Sequence, residues 1–170
     1  MVPIVEPELL MDGAHDLDER RALSQTVLES VLNLLSAQRV LLEGLILKPN
    51  MVLPGSSCTD QATPQRIADA TLRCLLRTVP AAVPGIAFLS GGQSPELAST
   101  RLAAMNAQCR AKPPWPLSFS FARAIQQPAL AIWAGDDANV THAQPALNHR
   151  ARCNRAARRG EYDAATDQPS

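Results

Sequence analysis

Residues 41–52 read LLEGLILKPNMV, an almost unbroken apolar run with one acidic residue, Glu43, and one amine, Lys48. Because apolar and polar positions do not alternate, the run is typical of a strand buried on both faces of a parallel sheet. Pro49 disfavours the helical conformation for the residue before it, so Lys48 should be extended. We therefore predict a strand at residues 40–47 that places a lysine at its carboxyl end.

Strands and helices are predicted to alternate along the rest of the chain. Short apolar runs indicate three further strands, at residues 2–5, 85–89 and 117–121. Apolar residues at helical spacing follow each strand and predict helices at about 16–37, 63–79, 94–106 and 123–134. Such alternation is typical of an α/β fold in which crossover helices connect parallel strands.

Polar residues that favour helix starts precede three of these helices. Asp16 and Thr63 are predicted N-caps, because their side chains can accept hydrogen bonds from free backbone N–H groups. Ser94 and Pro95 repeat the arrangement of Thr63 and Pro64, with proline at the first helical position.

The C-terminal region is less regular and is rich in Ala and Arg. Asn139 is a candidate cap for a further helix, although Pro145 weakens that prediction. From Gly160 onward the chain is predicted to be disordered. We therefore predict two parts, a main unit at residues 1–135 and a C-terminal helix with a flexible tail at residues 136–170.

Composition argues against several classes of partner and location. The 16 basic and 16 acidic residues cancel, which gives no argument for a nucleic acid or an anionic membrane surface as a partner. No signal peptide is visible, and no apolar run approaches the roughly 20 residues of a membrane span. These features predict a cytoplasmic protein.

Cysteines and histidines give no metal-site signal in the sequence. The four cysteines fit no CxxC zinc pattern and are predicted to be reduced and structural: Cys58, Cys74, Cys109 and Cys153. The histidines lack metal-ligand spacing and are predicted to lie at the surface: His15, His142 and His149. Neither a metal nor a cofactor is therefore expected.

Each predicted strand is followed by polar residues. Because the carboxyl ends of parallel strands meet at one edge, we expect these groups to lie close together. In chain order they are Glu6 with Glu8, Lys48, Ser90 with Gly91 and Gly92, and Ser120 with Arg123.

The lysine and the two glutamates indicate amine and acid–base chemistry. An amine partly removed from water is more readily neutral, and a neutral lysine attacks carbonyls to form a Schiff base. Glu6 and Glu8 are two residues apart, so in an extended segment they face the same side and can share acid–base work. Two alternatives stay open: Lys48 can reach solvent or pair with a carboxylate, and the glutamates can form a solvated turn.

The other two polar groups indicate anion binding. The Ser90–Gly92 turn can present backbone N–H groups to a phosphate, with a helix start beside it. Arg123 adds a bidentate donor and Ser120 a hydroxyl. An ordinary turn has the same glycine content, so that alternative stays open. Together the groups suit carbon–carbon bond chemistry on a phosphorylated ketose, a small-molecule partner.

Four stretches of the sequence resemble the C-terminal half of class I fructose-bisphosphate aldolase. LLEGLILKPNMVLPG at 41–55 is similar to the family's Schiff-base lysine signature, and LRTVPAAVPGIAFLSGGQS at 76–94 to its seventh strand and phosphate loop. VPIVEPELLMDGAHDL at 2–17 and KPPWPLSFSFARAI at 112–125 resemble its fifth and eighth strands.

The resemblance implies the last four units of a (β/α)8 barrel enzyme. The enzyme would cleave fructose 1,6-bisphosphate reversibly to dihydroxyacetone phosphate and glyceraldehyde 3-phosphate without a metal. Lys48 would form the imine, Glu6 would be the acid/base, and Glu8 would orient or tune the site. The phosphate would be held by Ser90, Gly91, Gly92, Ser120 and Arg123.

The sequence departs from the family in several places. Ala122 stands where the family usually has glycine, so its methyl group is expected to crowd the phosphate or shift the loop. The family's first four strands have no counterpart here, and four strands leave two unpaired edges. We therefore expect pairing of two copies, completion by another chain, or a truncated protein that only binds sugar phosphate or a partner.

Overall fold

The computed structural model describes residues 1–108 and 113–167 and shows a four-stranded parallel sheet. The strands, in spatial and chain order, are β1 (Ile4–Val5), β2 (Ile46–Leu47), β3 (Ile86–Phe88) and β4 (Leu117–Phe119). The helices are α1 (Leu17–Ala37), α2 (Pro64–Thr78), α3 (Pro95–Gln108), α4 (Arg123–Trp133) and α5 (Val140–Arg158). The predicted alternation of parallel strands and helices is confirmed. Cys109 lies outside the described residues.

The predicted helix starts are confirmed by hydrogen bonds. Asp16 Oδ1 accepts from Glu19 N at 2.8 Å, and Glu19 Oε2 accepts from Asp16 N at 3.0 Å, a reciprocal cap of α1. Thr63 Oγ1 accepts a hydrogen bond at the start of α2, and Ser94 Oγ accepts one at the start of α3. Each of these hydrogen bonds satisfies a backbone N–H that lacks an intrahelical partner.

The core lies between one face of the sheet and the helices. Leu47, Ile86 and Phe88 point to this face and are fully buried, and they join one apolar cluster with residues of α1, α2 and α3. The opposite face of the sheet is open, since Ile4 is 56% exposed and Ile46 is only partly buried. Side chains on a strand alternate between faces, so Glu6 and Lys48 follow Ile4 and Ile46 onto the open face.

The strand predicted at residues 40–47 is wrong over most of its length. Only Ile46–Leu47 pairs as a strand, while Leu42–Gly44 forms a 3-10 turn and Leu41 is 70% exposed. The chain leaves α1 through Arg39, whose φ is 57°, and Val40 N donates to Leu35 O at 2.9 Å. The turn that redirects the chain therefore uses backbone groups that a longer strand would need.

Two leucines of the helices do not join the core, since Leu23 of α1 is 42% and Leu76 of α2 58% exposed. Leu76 directly follows the buried Leu75, and successive helical residues point about 100° apart, so both cannot face the same core.

The C-terminal region is ordered further than predicted. α5 runs through Pro145 to Arg158, and the Asn139 side chain donates to Trp133 O instead of capping the helix. After Gly160 the chain folds back, and the Asp167 side chain is 3% exposed against α5. Disorder from residue 160 is therefore wrong up to residue 167. α5 packs against α3 and α4, and a boundary at residue 135 stays a prediction.

Two of the three histidines are exposed as predicted, and the third is not. His15 and His142 are exposed, but His149 is partly buried and contacts both Cys153 and Asp167. The prediction that His149 lies at the surface is therefore wrong, because its partner Asp167 comes from the folded-back tail.

No helix among the described residues combines the length and apolarity that crossing a bilayer requires.

Candidate active site

Lys48 and Glu6 form an ion pair on the open face of the sheet. Lys48 Nζ lies 3.0 Å from Glu6 Oε1, and the two side chains are 18% and 41% exposed. The strand register causes this contact, because Val5 is aligned with Leu47 and Lys48 N donates to Val5 O at 2.8 Å. The predicted alternative in which the lysine pairs with a carboxylate is thus the observed arrangement.

Glu8 does not join this pair. Its side chain is exposed, and within the described chain its carboxylate has no hydrogen bond or ion pair. The next residue, Leu9, is held by Asn50 from both sides: Leu9 N donates to Asn50 Oδ1 at 2.6 Å, and Asn50 Nδ2 donates to Leu9 O at 3.2 Å. The loop after β1 is therefore anchored one residue past Glu8.

Asn50 is a positioning residue that the sequence analysis missed. Besides holding Leu9, its Nδ2 lies 3.2 Å from the place where a Cβ on Gly91 would be. Asn50 therefore touches the loops that follow β1 and β3 while sitting on the loop that follows β2. The signal available in the sequence was an amide side chain inside the otherwise apolar stretch 49–53.

The Ser90–Gly92 turn is built on two glycines in the left-handed backbone region. Gly91 and Gly92 have φ values of 56° and 77°, which glycine adopts without strain. Ser90 is buried, and its carbonyl accepts from both the backbone N–H and the side-chain Nε2 of Gln93. In the part of the chain that the structure describes, neither glycine N–H donates a hydrogen bond. Both donors are therefore free for a ligand.

Ser120 and Arg123 lie at the adjoining end of β4. Ser120 N donates to Phe88 O at 2.8 Å, which places Ser120 beside the end of β3 and near the Ser90 turn. Arg123 is the first residue of α4, is exposed, and makes no ion pair with any described residue. Ala122 occupies the N-cap position of α4, where its methyl group cannot accept a hydrogen bond from the helix start.

The polar groups therefore follow the order of the strands along one edge of the sheet. Glu6 and Lys48 lie together beyond β1 and β2, and the Ser90 turn and Ser120 lie beyond β3 and β4. Among the described strands, β1 and β4 each pair with one neighbour, so both sides of the sheet end in a free edge. This end of the sheet therefore carries an amine paired with a carboxylate and, beyond the next two strands, a turn whose glycine N–H groups have no partner among the described residues.

Comparison with known proteins gives one consistent result. All of residues 1–170 match the family model described as glycolytic class-I fructose-bisphosphate aldolase. The chain is 52% identical to fructose-bisphosphate aldolase B of Sparus aurata, over 100% of this chain and 47% of that protein. It is also 52% identical to a cytoplasmic fructose-bisphosphate aldolase isozyme of Pisum sativum, over 98% of this chain and 46% of that protein.

A solved structure agrees with the sequence relatives. Plasmodium falciparum fructose-bisphosphate aldolase, crystallised with TRAP and a small-molecule inhibitor, superposes with a TM-score of 0.91 at 47% sequence identity. The superposition covers 96% of this chain and 46% of that one. The chain thus spans about half the length of the curated relatives that it matches.

Proposed function

Since the chain belongs to the class I fructose-bisphosphate aldolase family and folds as the C-terminal half of its (β/α)8 barrel, we propose that it carries the Schiff-base centre of such an enzyme. The reaction is the reversible cleavage of fructose 1,6-bisphosphate to dihydroxyacetone phosphate and glyceraldehyde 3-phosphate. The amine chemistry at this centre needs no metal, because an iminium ion supplies the electron sink.

The observation that carries the proposal is the 3.0 Å contact between Lys48 Nζ and Glu6 Oε1. Glu6 accepts a proton from the ammonium, and the neutral amine attacks C2 of the ketose. Glu6 returns the proton to the carbinolamine hydroxyl, which leaves as water and yields the protonated Schiff base, an iminium ion. The Glu6 carboxylate then takes the C4 hydroxyl proton while the C3–C4 bond breaks. The electrons of that bond flow into the iminium ion and form an enamine.

Glu8 has a supporting role in this proposal. It lies two residues from Glu6 and is exposed, so it orients incoming substrate or tunes the charge around the ion pair. Glu8 makes no ion pair with Lys48, which favours this role over direct proton transfer. Asn50 holds the backbone of Leu9 and so fixes the segment that carries Glu6 and Glu8 at the end of the sheet.

We assign substrate phosphate to the groups beyond β3 and β4. The free N–H groups of Gly91 and Gly92 bind phosphate oxygens, and the hydroxyls of Ser90 and Ser120 add donors. Arg123 supplies the positive charge, for which no described residue competes.

A second candidate function is supported by the open sheet. Its free edges at β1 and β4, and the exposed Ile4, leave the site uncovered on one side. A chain in this state can bind sugar phosphate or assemble with a partner without turning over substrate. Completion by a second copy or by another chain would bury that face and restore activity.

The cytosolic names of several relatives support a cytoplasmic location.

Reductive trapping separates the two candidates. The full chain is incubated with fructose 1,6-bisphosphate and sodium borohydride, which reduces an imine to a stable amine, and the adduct is located by mass spectrometry. The sequence contains two lysines, Lys48 and Lys112, so Lys112→Arg is a matched control. An adduct on Lys48 that survives Lys112→Arg and disappears in Lys48→Arg supports the aldolase centre.

A folded chain that forms no adduct at Lys48 contradicts the proposal and leaves the binding or assembly role. Light scattering on the same samples gives the oligomeric state. A folded monomer that forms the adduct would show that the Schiff-base step needs no covering partner.

A further inference from the structure

Three side chains with different metal-ligating atoms meet where the C-terminal segment crosses α5. His149 and Cys153 are four residues apart and therefore lie on the same face of the helix. Asp167 approaches them from beyond the 3-10 turn Ala164–Thr166. The ligand atoms of the three residues all lie within 4.8 Å of one another, and all three residues are partly buried. This cluster is not part of the sheet-edge site.

The spacing of these atoms is close to that of a tetrahedral zinc site. Cys153 Sγ lies 3.5 Å from His149 Nε2 and 3.3 Å from Asp167 Oδ1. Zinc–sulfur bonds of about 2.3 Å and zinc–nitrogen bonds of about 2.0 Å place sulfur and nitrogen roughly 3.5 Å apart in a tetrahedron. His149 Nε2 and Asp167 Oδ1 are 2.5 Å apart, so this pair alone has to open, by somewhat less than about 1 Å.

The two oxygens of Asp167 have different partners. Oδ1 faces His149 and Cys153, whereas Oδ2 accepts from Arg150 Nη1 and from the Tyr162 hydroxyl. The two hydrogen bonds to Oδ2 hold the carboxylate in orientation, as outer hydrogen bonds usually do for metal ligands.

Arg150 is itself fixed by the fold. Its side chain is 4% exposed, and its Nη2 donates to Pro95 O at 2.9 Å and to Ser99 Oγ at 2.8 Å. These contacts tie the guanidinium to α3, so it serves Asp167 Oδ2 and stays out of the space between the other three side chains. Arg150 therefore binds Oδ2 of Asp167, while Oδ1 faces His149 and Cys153.

We propose that His149, Cys153 and Asp167 form a binding site for one Zn²⁺ ion, with water as the fourth ligand. A nitrogen, a sulfur and an oxygen donor in tetrahedral spacing favour zinc over magnesium or calcium, which prefer six or more oxygen ligands. Thiolate and carboxylate supply two negative charges, against two positive charges on the ion and one on Arg150, so the occupied site carries one net positive charge. The bound ion fastens residues 160–167 to α5, which is independent of imine chemistry at Lys48.

Cobalt substitution tests the ligand set directly. Co²⁺ is titrated into the full reduced chain, and a thiolate ligand gives a sulfur-to-cobalt charge-transfer band in the near ultraviolet, with d–d bands of tetrahedral intensity. We expect one Co²⁺ per chain, displaced by one equivalent of Zn²⁺. Cys153→Ser should remove the charge-transfer band, while the partly exposed Cys58→Ser control should keep it.

The histidine and tyrosine variants test the rest of the site. Loss of an outer-shell partner costs up to about 100-fold in metal affinity, and loss of a direct ligand should cost at least as much. His149→Gln should therefore weaken zinc binding at least about 100-fold. His142→Gln, an exposed change on the same helix, should leave zinc binding unchanged. Tyr162→Phe removes one hydrogen bond to Asp167 Oδ2 and should weaken binding about 10-fold. Circular dichroism of each metal-free variant shows whether it is folded.

A test on the unaltered chain guards against variants that unfold. Zinc should slow alkylation of Cys153, mapped by mass spectrometry, without slowing that of Cys58, and should slow tryptic cleavage after Arg158 and Arg159. The proposal is overturned if Co²⁺ and Zn²⁺ do not bind, or if they bind with the same affinity and spectrum in folded Cys153→Ser. The cluster would then be a hydrogen-bonded latch only.

Discussion

Asn50 binds the backbone of Leu9 with both ends of its side-chain amide, at 2.6 Å from its oxygen and 3.2 Å from its nitrogen. The contact joins the loop after β1 to the loop after β2. Because Lys48 precedes Asn50 by two residues and Glu6 precedes Leu9 by three, the clamp sits directly beyond the ion pair. It connects packing of the loops to the geometry of the candidate site.

Replacing Asn50 should release the loop after β1. In Asn50→Ala we expect the Leu9 amide to exchange with solvent roughly 5-fold faster, since a hydrogen bond contributes about 1 kcal/mol. Hydrogen–deuterium exchange read by mass spectrometry measures this. Asn106→Ala is the control, because Asn106 also donates to two backbone carbonyls, of Leu102 and Ala157, but lies elsewhere. Unchanged exchange at Leu9 in Asn50→Ala would contradict the clamp.

Gly55 should tolerate no side chain. A Cβ there would lie 2.2 Å from Gly13 O, and Gly55 N donates to His15 O at 2.9 Å, so two backbone segments meet without space. Gly55→Ala should lower the free energy of unfolding by roughly 2–3 kcal/mol, the upper part of the range for overpacking. Urea denaturation measures the change.

Gly44→Ala is the matched control for Gly55→Ala. Its Cβ would meet only Leu41 Cδ2, at an ordinary 3.8 Å, so its stability should stay within about 0.5 kcal/mol of the unaltered chain. Equal destabilisation by both substitutions would show that the close contact with Gly13 does not determine the cost.

The parts of the fold that the sequence predicts are those that depend on neighbours in the chain. Asp16 caps α1 through a residue three positions away, and such patterns can be recognised without knowing the tertiary structure. The limits of β2 were not predictable in this way. Residues 40–45 are apolar enough for a strand, but their backbone groups are used in the turn that follows Arg39.

The same distinction applies to the two sites. Polar residues after four parallel strands predict a common edge, and the contact of Lys48 with Glu6 agrees with that prediction. The contact of His149 with Asp167 spans 18 residues and arises only because the chain reverses at Gly160, whose φ is 72°. A Cβ on Gly160 would lie 3.0 Å from Ala107 N, so α3 limits the path of the tail. No local sequence pattern encodes that packing.

Glu6→Gln should separate proton transfer from the presence of the amine. The amide has nearly the same shape as the carboxylate but cannot accept the proton of Lys48 or return it to the carbinolamine. We expect the borohydride-trapped adduct on Lys48 to form at least about 100-fold more slowly, since general acid–base catalysis contributes roughly 100-fold or more. Glu43→Gln, an exposed change in the same part of the chain, should trap at the unaltered rate. Equal rates in Glu6→Gln and Glu43→Gln would remove Glu6 from the acid–base role.

Cys74 should make stability fall at alkaline pH. Burial raises the pKa of the Cys74 thiol from its ordinary value of 9.0 to about 11. Between those values the unfolded chain loses a proton that the folded protein keeps, so the unfolded state binds fewer protons. The free energy of unfolding therefore decreases as pH rises through this window, by at most about 1.4 kcal/mol per pH unit from this residue, and the contribution is fully present below pH 9.

Comparing two alanine variants isolates that contribution. Cys74→Ala should be less stable than the unaltered chain at pH 7 because it opens a small cavity, but its stability should decline less steeply between pH 9 and pH 11. Cys58→Ala, a change at a partly exposed thiol, should keep the steep decline. Urea denaturation at several pH values gives both slopes, and identical slopes for Cys74→Ala and Cys58→Ala would show that Cys74 ionises as readily in the folded protein as in the unfolded chain.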